Sequence, residues 1–522
     1  MLQGTASPEA LVKRAAGLNL PAMVLTDTNG MYGLISFIKY CLNAGIKPIP
    51  GTYIDDPSDS SKYILLLPRN NQGYSDMCKI ITTRKLNDDF SLEYLIGTDL
   101  RNLFVITPDY DLLNTYGHLP NVFAELIGTK SKNIQTRKLY ELVSKKKLKP
   151  VPSYPVYFLN NEDYLIHKIV TAIRLNKNLS NLEENEIQPS DFYFSDRSNT
   201  ISKWKKVPGA LENLEYIINE CNTDLQLNKF KFPVFPDLKG ETSDSVLWKE
   251  SFRGLSVRYN PVSDEARKRL EYELQVIKEL NFSDYFLIVQ DILKEAKRRG
   301  MLTIGRGSAA NSLVSYCLGL TEVDPIRHNL YFERFLNKAR SSPPDVDIDF
   351  SWKERDEIIR YVFDKYGYEN VAMISTHVTF KARSAFREVA KIYGISEQEI
   401  STYSKQIPWT RASNLPDISE RFPESRNLDF KIEPWKSVVE AAARLSDFPR
   451  HLSIHPGGIV ITPGPITDFT ALEYAKNKGL GLIITQPDMY SIEELGLIKI
   501  DLLSQRSLGV LRDTLSSIEN GN

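Results

Sequence analysis

The sequence predicts a multidomain α/β protein, and three observations carry that expectation. At 522 residues the chain exceeds the roughly 250–300 residues at which a single core stops growing, so it should divide into two to four domains. Its first 150 or so residues alternate helix-period and strand-period segments, the pattern of parallel strands joined by helical crossovers. A second group of strands begins near residue 300, and in one of them acidic and apolar residues alternate. Hydrophobic content of 42% and charged content of 25% are those of an ordinary globular chain. The formal net charge of −1 excludes a chain-wide basic field, so a nucleic-acid partner would have to be held by local patches or metal ions.

In chain order, "SPEALVKRAAGLNL" opens a helix with Ser7 as cap and Pro8 at the first helical position. "AMVLTD" reads as a buried strand, "GLISFIKYCLNAG" as a helix closed by Gly45, and "KPIPGTYI" as the next strand. Lys145, Lys146, Lys147 and Lys149 read as a solvated helix end before Pro150, although such a run can also touch phosphate. Prolines, glycine and short polar residues cluster over 227–244 and mark a domain boundary. Two helices joined near Phe282 follow, then a strand, "MLTI", running into "GRGSAANSLVSYCLGL". After the acidic strand, "RSAFREVAKIYG" is an amphipathic helix with Arg383, Arg387 and Lys391 at i, i+4 and i+8 on one ridge. A polar, proline-dotted stretch covers about 401–450, and strands return at "GGIVIT" and "LGLIKIDLL".

Cys41, Cys78, Cys221 and Cys317 are scattered without a CxxC, which argues against zinc and for a reducing, cytoplasmic setting. The start has no basic segment followed by an apolar core, and no apolar run reaches the ~18–20 residues of a membrane span. No membrane association is expected.

The chemistry concentrates in "SSPPDVDIDFSW". Strand alternation puts Val346, Ile348 and Phe350 on one face and Asp345, Asp347 and Asp349 on the other, with the carboxylates about 7 Å apart. Divalent cations relieve that repulsion, since Mg²⁺ takes a few carboxylates together with phosphate oxygens. The plainer reading is a solvated edge strand, against which stands the poor strand propensity of Asp. In "LGLIKIDLL", Lys499 and Asp501 share a face opposite Ile498, Ile500 and Leu502. This suits a metal ligand beside a phosphate-binding cation, or a structural Lys–Asp pair. In "TIGRGSAANS", Gly305, Arg306, Gly307 and Ser308 make a strand-to-helix turn, with the helix expected near Ser308, that could cradle phosphate. The turn also matches G-x-G-x-x-A with Asp324 downstream, so a dinucleotide fold stays open. Taken together, phosphate turn, double-Asp strand and single-Asp strand form the set that two-metal nucleotidyl transfer needs. Arg306, Arg340, Arg383, Arg387 and Lys499 are the candidate charge neutralisers, with Lys391 completing the ridge.

The segments from "NFSDYFLIVQDILKEAKRRG" through "GRGSAANSLVSYCLGL", then "PPDVDIDF", "HLSIHPGGIVIT" and "LIKIDLL", resemble the bacterial C-family DNA polymerases, the α subunits of DNA polymerase III. "FPRHLSIHPGG" is similar to the error-prone branch. The resemblance implies a PHP-type α/β barrel over 1–235, followed by a polymerase-β-like nucleotidyltransferase palm. The palm would occupy 236–376 and 456–505, with a mainly helical thumb inserted at 377–455 and fingers beginning at 506–522. It implies Asp345, Asp347 and Asp501 as ligands of two Mg²⁺, Asp349 as a less certain one, and Gly307, Ser308 and Lys499 at phosphate positions. Primer–template DNA and dNTPs are the implied partners, and the thumb ridge would meet the DNA backbone. His455 lies in the family's His-x-Gly-Gly stretch, with no chemical role assigned.

The departures are informative. The family's opening His-x-His is absent. Thr28 stands for a His, Tyr53 for a Glu, and Pro155 and Tyr157 for an Asp and a His, while Asp27 is kept. The PHP-like part is therefore expected to hold no metal cluster. The chain stops where fingers, clamp-binding peptide and OB-fold would follow, so a sliding clamp is not expected to bind it. A second chain could supply those parts. The alternative is a non-catalytic DNA- or protein-binding remnant.

Overall fold

The computed structural model describes residues 1–196, 201–337, 346–475 and 481–520. Arg340 and Asp345 therefore lie outside the described residues. The chain forms two compact units, one of Met1–Asp224 with His377–Ser453, the other of Leu225–Thr376 with Ile454–Asn522.

The first unit begins as its sequence dictates. Ser7 caps the helix Pro8–Gly17 by accepting from the Ala10 N–H at 3.2 Å. Strands β1 (Ala22–Thr28), β2 (Lys47–Asp55), β3 (Tyr63–Pro68), β4 (Leu103–Thr107), β5 (Val122–Ile127) and β6 (Pro150–Ser153) form one sheet in chain order. β1 and β2 are parallel, β3 runs antiparallel to both its neighbours, and β4 to β6 are parallel. The expected barrel-type unit is thus a six-stranded mixed sheet with β1 and β6 at its two ends. β4 and β5 are buried along their whole length, which accounts for their largely apolar sequences, Glu125 of β5 excepted. The lysine run is structural in part: Lys146 donates to the Asn114 carbonyl at 2.9 Å and Lys149 to the Leu119 carbonyl at 3.0 Å.

The inserted segment shares a core with this unit. Phe386, Val389 and Ala390 of the helix Ala382–Ile392 pack in one cluster with Ile166, Ile169 and Val170 of the helix Tyr164–Leu175. The amphipathic stripe read from the sequence faces that cluster.

The second unit is built on β7 (Thr303–Arg306), β8 (Asp347–Ser351), β9 (Val371–Thr379), β10 (Pro449–Ile461), β11 (Leu472–Tyr474), β12 (Ile483–Asp488) and β13 (Lys499–Gln505). Their order is β11-β12-β9-β10-β13-β8-β7. β9 carries the chain out of this unit and β10 brings it back. Ile348 and Phe350 are fully buried on one face of β8, and Ile500 and Leu502 on β13. The helix Arg355–Tyr366 packs on β13 and on the helix Ser283–Arg298. The acidic strand is interior to the sheet, so the solvated-edge reading falls.

A carboxylate row and its clamped turn

β8 lies between two partners whose registers decide the site. β13 runs parallel to it and pairs Asp501 with Asp347 and Leu503 with Asp349. β7 runs antiparallel and pairs Arg306 with Asp347 and Ile304 with Asp349. Arg306, Asp347 and Asp501 therefore form one row across three strands, with Asp349 two residues along the same face. The side chains are sunk rather than solvated, at 25% exposure for Asp347, 9% for Asp349 and 8% for Asp501.

Two cations accompany the acids. The Lys499 ammonium donates to Asp501 Oδ2 at 2.8 Å. Arg306 Nε stands 3.4 Å from Asp349 Oδ1 and 3.9 Å from Asp347 Oδ2. Asp501 Oδ1 and Asp349 Oδ1 are buried without a hydrogen-bond partner, a costly arrangement that invites a further positive group. Hard carboxylate oxygens of this kind fit a small divalent cation. Among the described residues no three His, Cys, Asp or Glu side chains converge on one metal position, and the third acid of the motif's proposed set, Asp345, lies outside them.

The Gly-rich turn borders this row. Gly307 has φ +77° and a Cβ there would stand 3.8 Å from Asp347 Oδ2. Any Cβ at Gly305 would fall 1.6 Å from the Leu320 carbonyl oxygen, so β7 can lie against that backbone only as glycine. The helix expected from Ser308 starts later: Gly307–Asn311 is a 3-10 turn, and the α-helix is Leu313–Leu318, capped by Ser312. A left-handed Gly307 followed by a better cap at Ser312 moves the start, and with it falls the idea of a long helix dipole aimed at phosphate. What remains is a tight turn of backbone N–H groups.

That turn is held by residues the sequence reading passed over. Glu273, fully buried, accepts from Ser312 Oγ at 2.8 Å and from the Val314 N–H at 3.0 Å. Arg269 donates to Glu273 at 3.0 Å and to the Asn311 and Leu330 carbonyls at 2.9 and 2.7 Å. Burial pushes the Glu273 carboxyl upward, against the pull of its donors. In "RKRLEYELQ" the two residues look like any solvated i,i+4 pair, and nothing local marks them as buried.

The ridge on the helix Ala382–Ile392 belongs to the other unit and spends its donors internally. Arg383 donates twice to the Ile407 carbonyl, at 2.6 and 3.1 Å. Arg387 pairs with Glu397 and donates to Ser404 Oγ at 3.1 Å. Lys391 donates to Asn176 Oδ1 at 2.6 Å. Asp324, the ribose contact of the dinucleotide reading, instead caps a turn, accepting from the Ile326 N–H at 2.9 Å and from the Tyr259 hydroxyl at 2.6 Å.

In the first unit, Asp27 is half-buried and accepts from the Gly33 N–H at 2.8 Å. Tyr53 stacks on Tyr63 at 4.3 Å between ring centroids. Tyr63 in turn donates to the buried Glu125 at 2.8 Å. Burial pushes both acids upward.

Residues 1–147 match the PHP domain family, and residues 245–504 the family described as the bacterial DNA polymerase III alpha NTPase domain. The chain is thus a PHP domain followed by a polymerase-type domain. It is 32% identical to the DNA polymerase III subunit alpha of Bacillus subtilis (strain 168), over 99% of this chain and 48% of that protein. It is 29% identical to the error-prone DNA polymerase of Symbiobacterium thermophilum, over 99% of this chain and 51% of that protein. Against the DNA polymerase III subunit alpha of Buchnera aphidicola subsp. Acyrthosiphon pisum the identity is 32%, over 98% and 47%. The chain belongs to the family of bacterial DNA polymerase III alpha subunits and spans about half the length of the curated relatives it matches.

Proposed function

We propose that this chain is the PHP–palm–thumb part of a DNA-directed DNA polymerase that adds dNMP units to a primer 3′-OH. The observation that carries the reading is the register match of Asp347 with Asp501, beside two buried carboxylate oxygens that lack a hydrogen-bond partner. The palm is assigned to 236–376 and 456–505, the thumb to 377–455 and the beginning of the fingers to 506–522. Asp345, Asp347 and Asp501 would hold two Mg²⁺, with Asp349 supporting from the same face. When bound, the ions supply activation of the 3′-OH and stabilisation of charge on the triphosphate.

The chain's own residues supply the rest. Arg306 is half-exposed, so its guanidinium can turn from the carboxylates toward an incoming triphosphate. Lys499 stays paired with Asp501 and lends positive charge beside it. The Gly307–Ser308 backbone offers N–H groups to phosphate, positioned by Glu273 and Arg269. The ridge Arg383, Arg387 and Lys391 now reads first as a brace within its unit, and backbone contact with primer–template DNA would need those donors to be shared.

The PHP-like part is proposed to hold no metal cluster. Asp27 is committed to a backbone N–H, and Tyr53 and Tyr157 offer rings at ligand positions. Primer extension tests the main reading: the purified chain with primed template, dNTPs and Mg²⁺ should extend. Asp347→Asn, which removes a charged ligand without changing volume, should lower the rate at least about 100-fold. Equal rates for wild type and Asp347→Asn would refute the assignment.

A further inference from the structure

His455 sits on β10 beside Asp501, yet it is not arranged to exchange a proton with it. Its Nδ1 accepts from the Gly458 N–H at 2.7 Å and from the Gly457 N–H at 3.3 Å. An Nδ1 that accepts cannot carry a proton, so the neutral ring holds its hydrogen on Nε2. The same Nδ1 stands 3.8 Å from Asp501 Oδ1, too far and of the wrong polarity for a hydrogen bond.

One of the two N–H groups belongs to the residue that pairs with Asp501, and the other to its neighbour, which meets Leu502 and Leu503. β10 and β13 pair Gly458 with Asp501, and a Cβ on Gly458 would come within 2.8 Å of His455 Nδ1 and 3.3 Å of Asp501 Oδ1. A Cβ on Gly457 would come within 2.4 Å of Leu503 Cδ2. The glycine pair lets the strands close, and the imidazole binds its two N–H groups so that they do not turn to the carboxylate. Asp501 then gives Oδ2 to Lys499 and keeps Oδ1 without a donor.

We propose that His455 is a positioning residue: as an Nε2-protonated ring it fixes the Gly457–Gly458 backbone and so keeps Asp501 Oδ1 bare for a divalent cation. The inference rests on the polymerase reading for the identity of that cation, whereas the tautomer and the backbone bonds stand apart from it. Asn is the informative substitution, because its short carbonyl can accept from N–H groups two and three residues on, as in an Asx turn. Gln reaches past them, and Ala has no acceptor.

The test uses the intact chain in two measurements. Long-range ¹H–¹⁵N spectra of the histidine rings, with His455→Asn to assign the signal, should show Nδ1 unprotonated and Nε2 protonated. Mn²⁺ titration should give His455→Asn nearly wild-type affinity, with a loss of about 10- to 100-fold in His455→Ala and His455→Gln. A ring protonated on Nδ1, or Ala binding Mn²⁺ as well as Asn, would overturn the proposal. If the wild type binds no Mn²⁺ and Asp501→Asn changes nothing, the polymerase metal site fails, and the tautomer alone decides the role of His455.

Discussion

Asp501 and His167 show how one residue's surroundings fix its use. Asp501 has one oxygen on Lys499 at 2.8 Å and the other without a donor, an arrangement suited to receiving a cation. His167, in the first unit, is satisfied on both sides as a neutral ring. Nδ1 lies 3.1 Å from the Gln3 carbonyl, to which it donates, and Nε2 accepts from the Gln188 N–H at 3.1 Å. Burial, first among the causes, pushes the ring down from 6.5 to about 4. Because the folded value is depressed, the unfolded chain binds the proton first as pH falls. The stability this neutral ring contributes is intact above pH ~6.5 and is lost progressively down to about 4, roughly 3 kcal/mol in all. Urea unfolding of the first unit should therefore weaken between about pH 7 and about pH 4.5, and by less in His167→Gln than in wild type. Identical pH profiles would contradict the assignment. The sequence showed His167 only as one of six histidines. Its partners lie 164 and 21 residues away, and no local pattern encodes such contacts.

Secondary-structure elements were legible where one period dominated. β1, the helix Leu34–Asn43 and β2 appear where the sequence put them, but β1, expected to be buried, is half-buried, since it lies at an end of the sheet. Alternation on β8 and β13 also separated the buried apolar residues from the acids. What failed were features set by contacts between elements. The helix after the Gly-rich turn begins at Leu313, because the backbone first follows Gly307 and then finds its cap in Ser312. The ridge Arg383, Arg387 and Lys391 was expected to face DNA backbone, but Ile407, the helix Glu397–Ser404 and Asn176 supply its acceptors. The Arg269–Glu273 clamp shows the same limit, and it makes a firm prediction. Glu273→Ala leaves Arg269 Nε and the Ser312 and Val314 donors without their acceptor in a buried place, which should cost about 3–5 kcal/mol. Glu273→Gln keeps an acceptor and should cost less. Denaturation of the second unit, followed by tryptophan fluorescence, measures both. A loss below about 1 kcal/mol for Ala would mean that the pair is an ordinary surface ion pair.

At the scale of the whole molecule, the chain interleaves two units rather than stringing domains in a row. The segment His377–Ser453 leaves the second unit's sheet along β9, contributes Phe386 and Val389 to a core with Ile169 and Val170, and returns along β10. Periodicity announced one amphipathic helix there, and the resemblance a mainly helical insert, but neither could say whose core they complete. The family resemblance supplied an expected order of parts, and the registers of β7, β8 and β13 put Arg306, Asp347 and Asp501 in one row. The PHP sheet keeps its frame while Tyr53, Tyr63 and Glu125 fill its polar interior with one another. Both halves of the account meet in where a divalent metal goes. The most direct measurement is a crystal structure of the chain soaked in Mn²⁺, read by its anomalous signal. The account predicts signal at Asp347 and Asp501 and none at Asp27 or Glu125. Signal confined to the PHP sheet, or absent from the carboxylate row at saturating Mn²⁺, would contradict it.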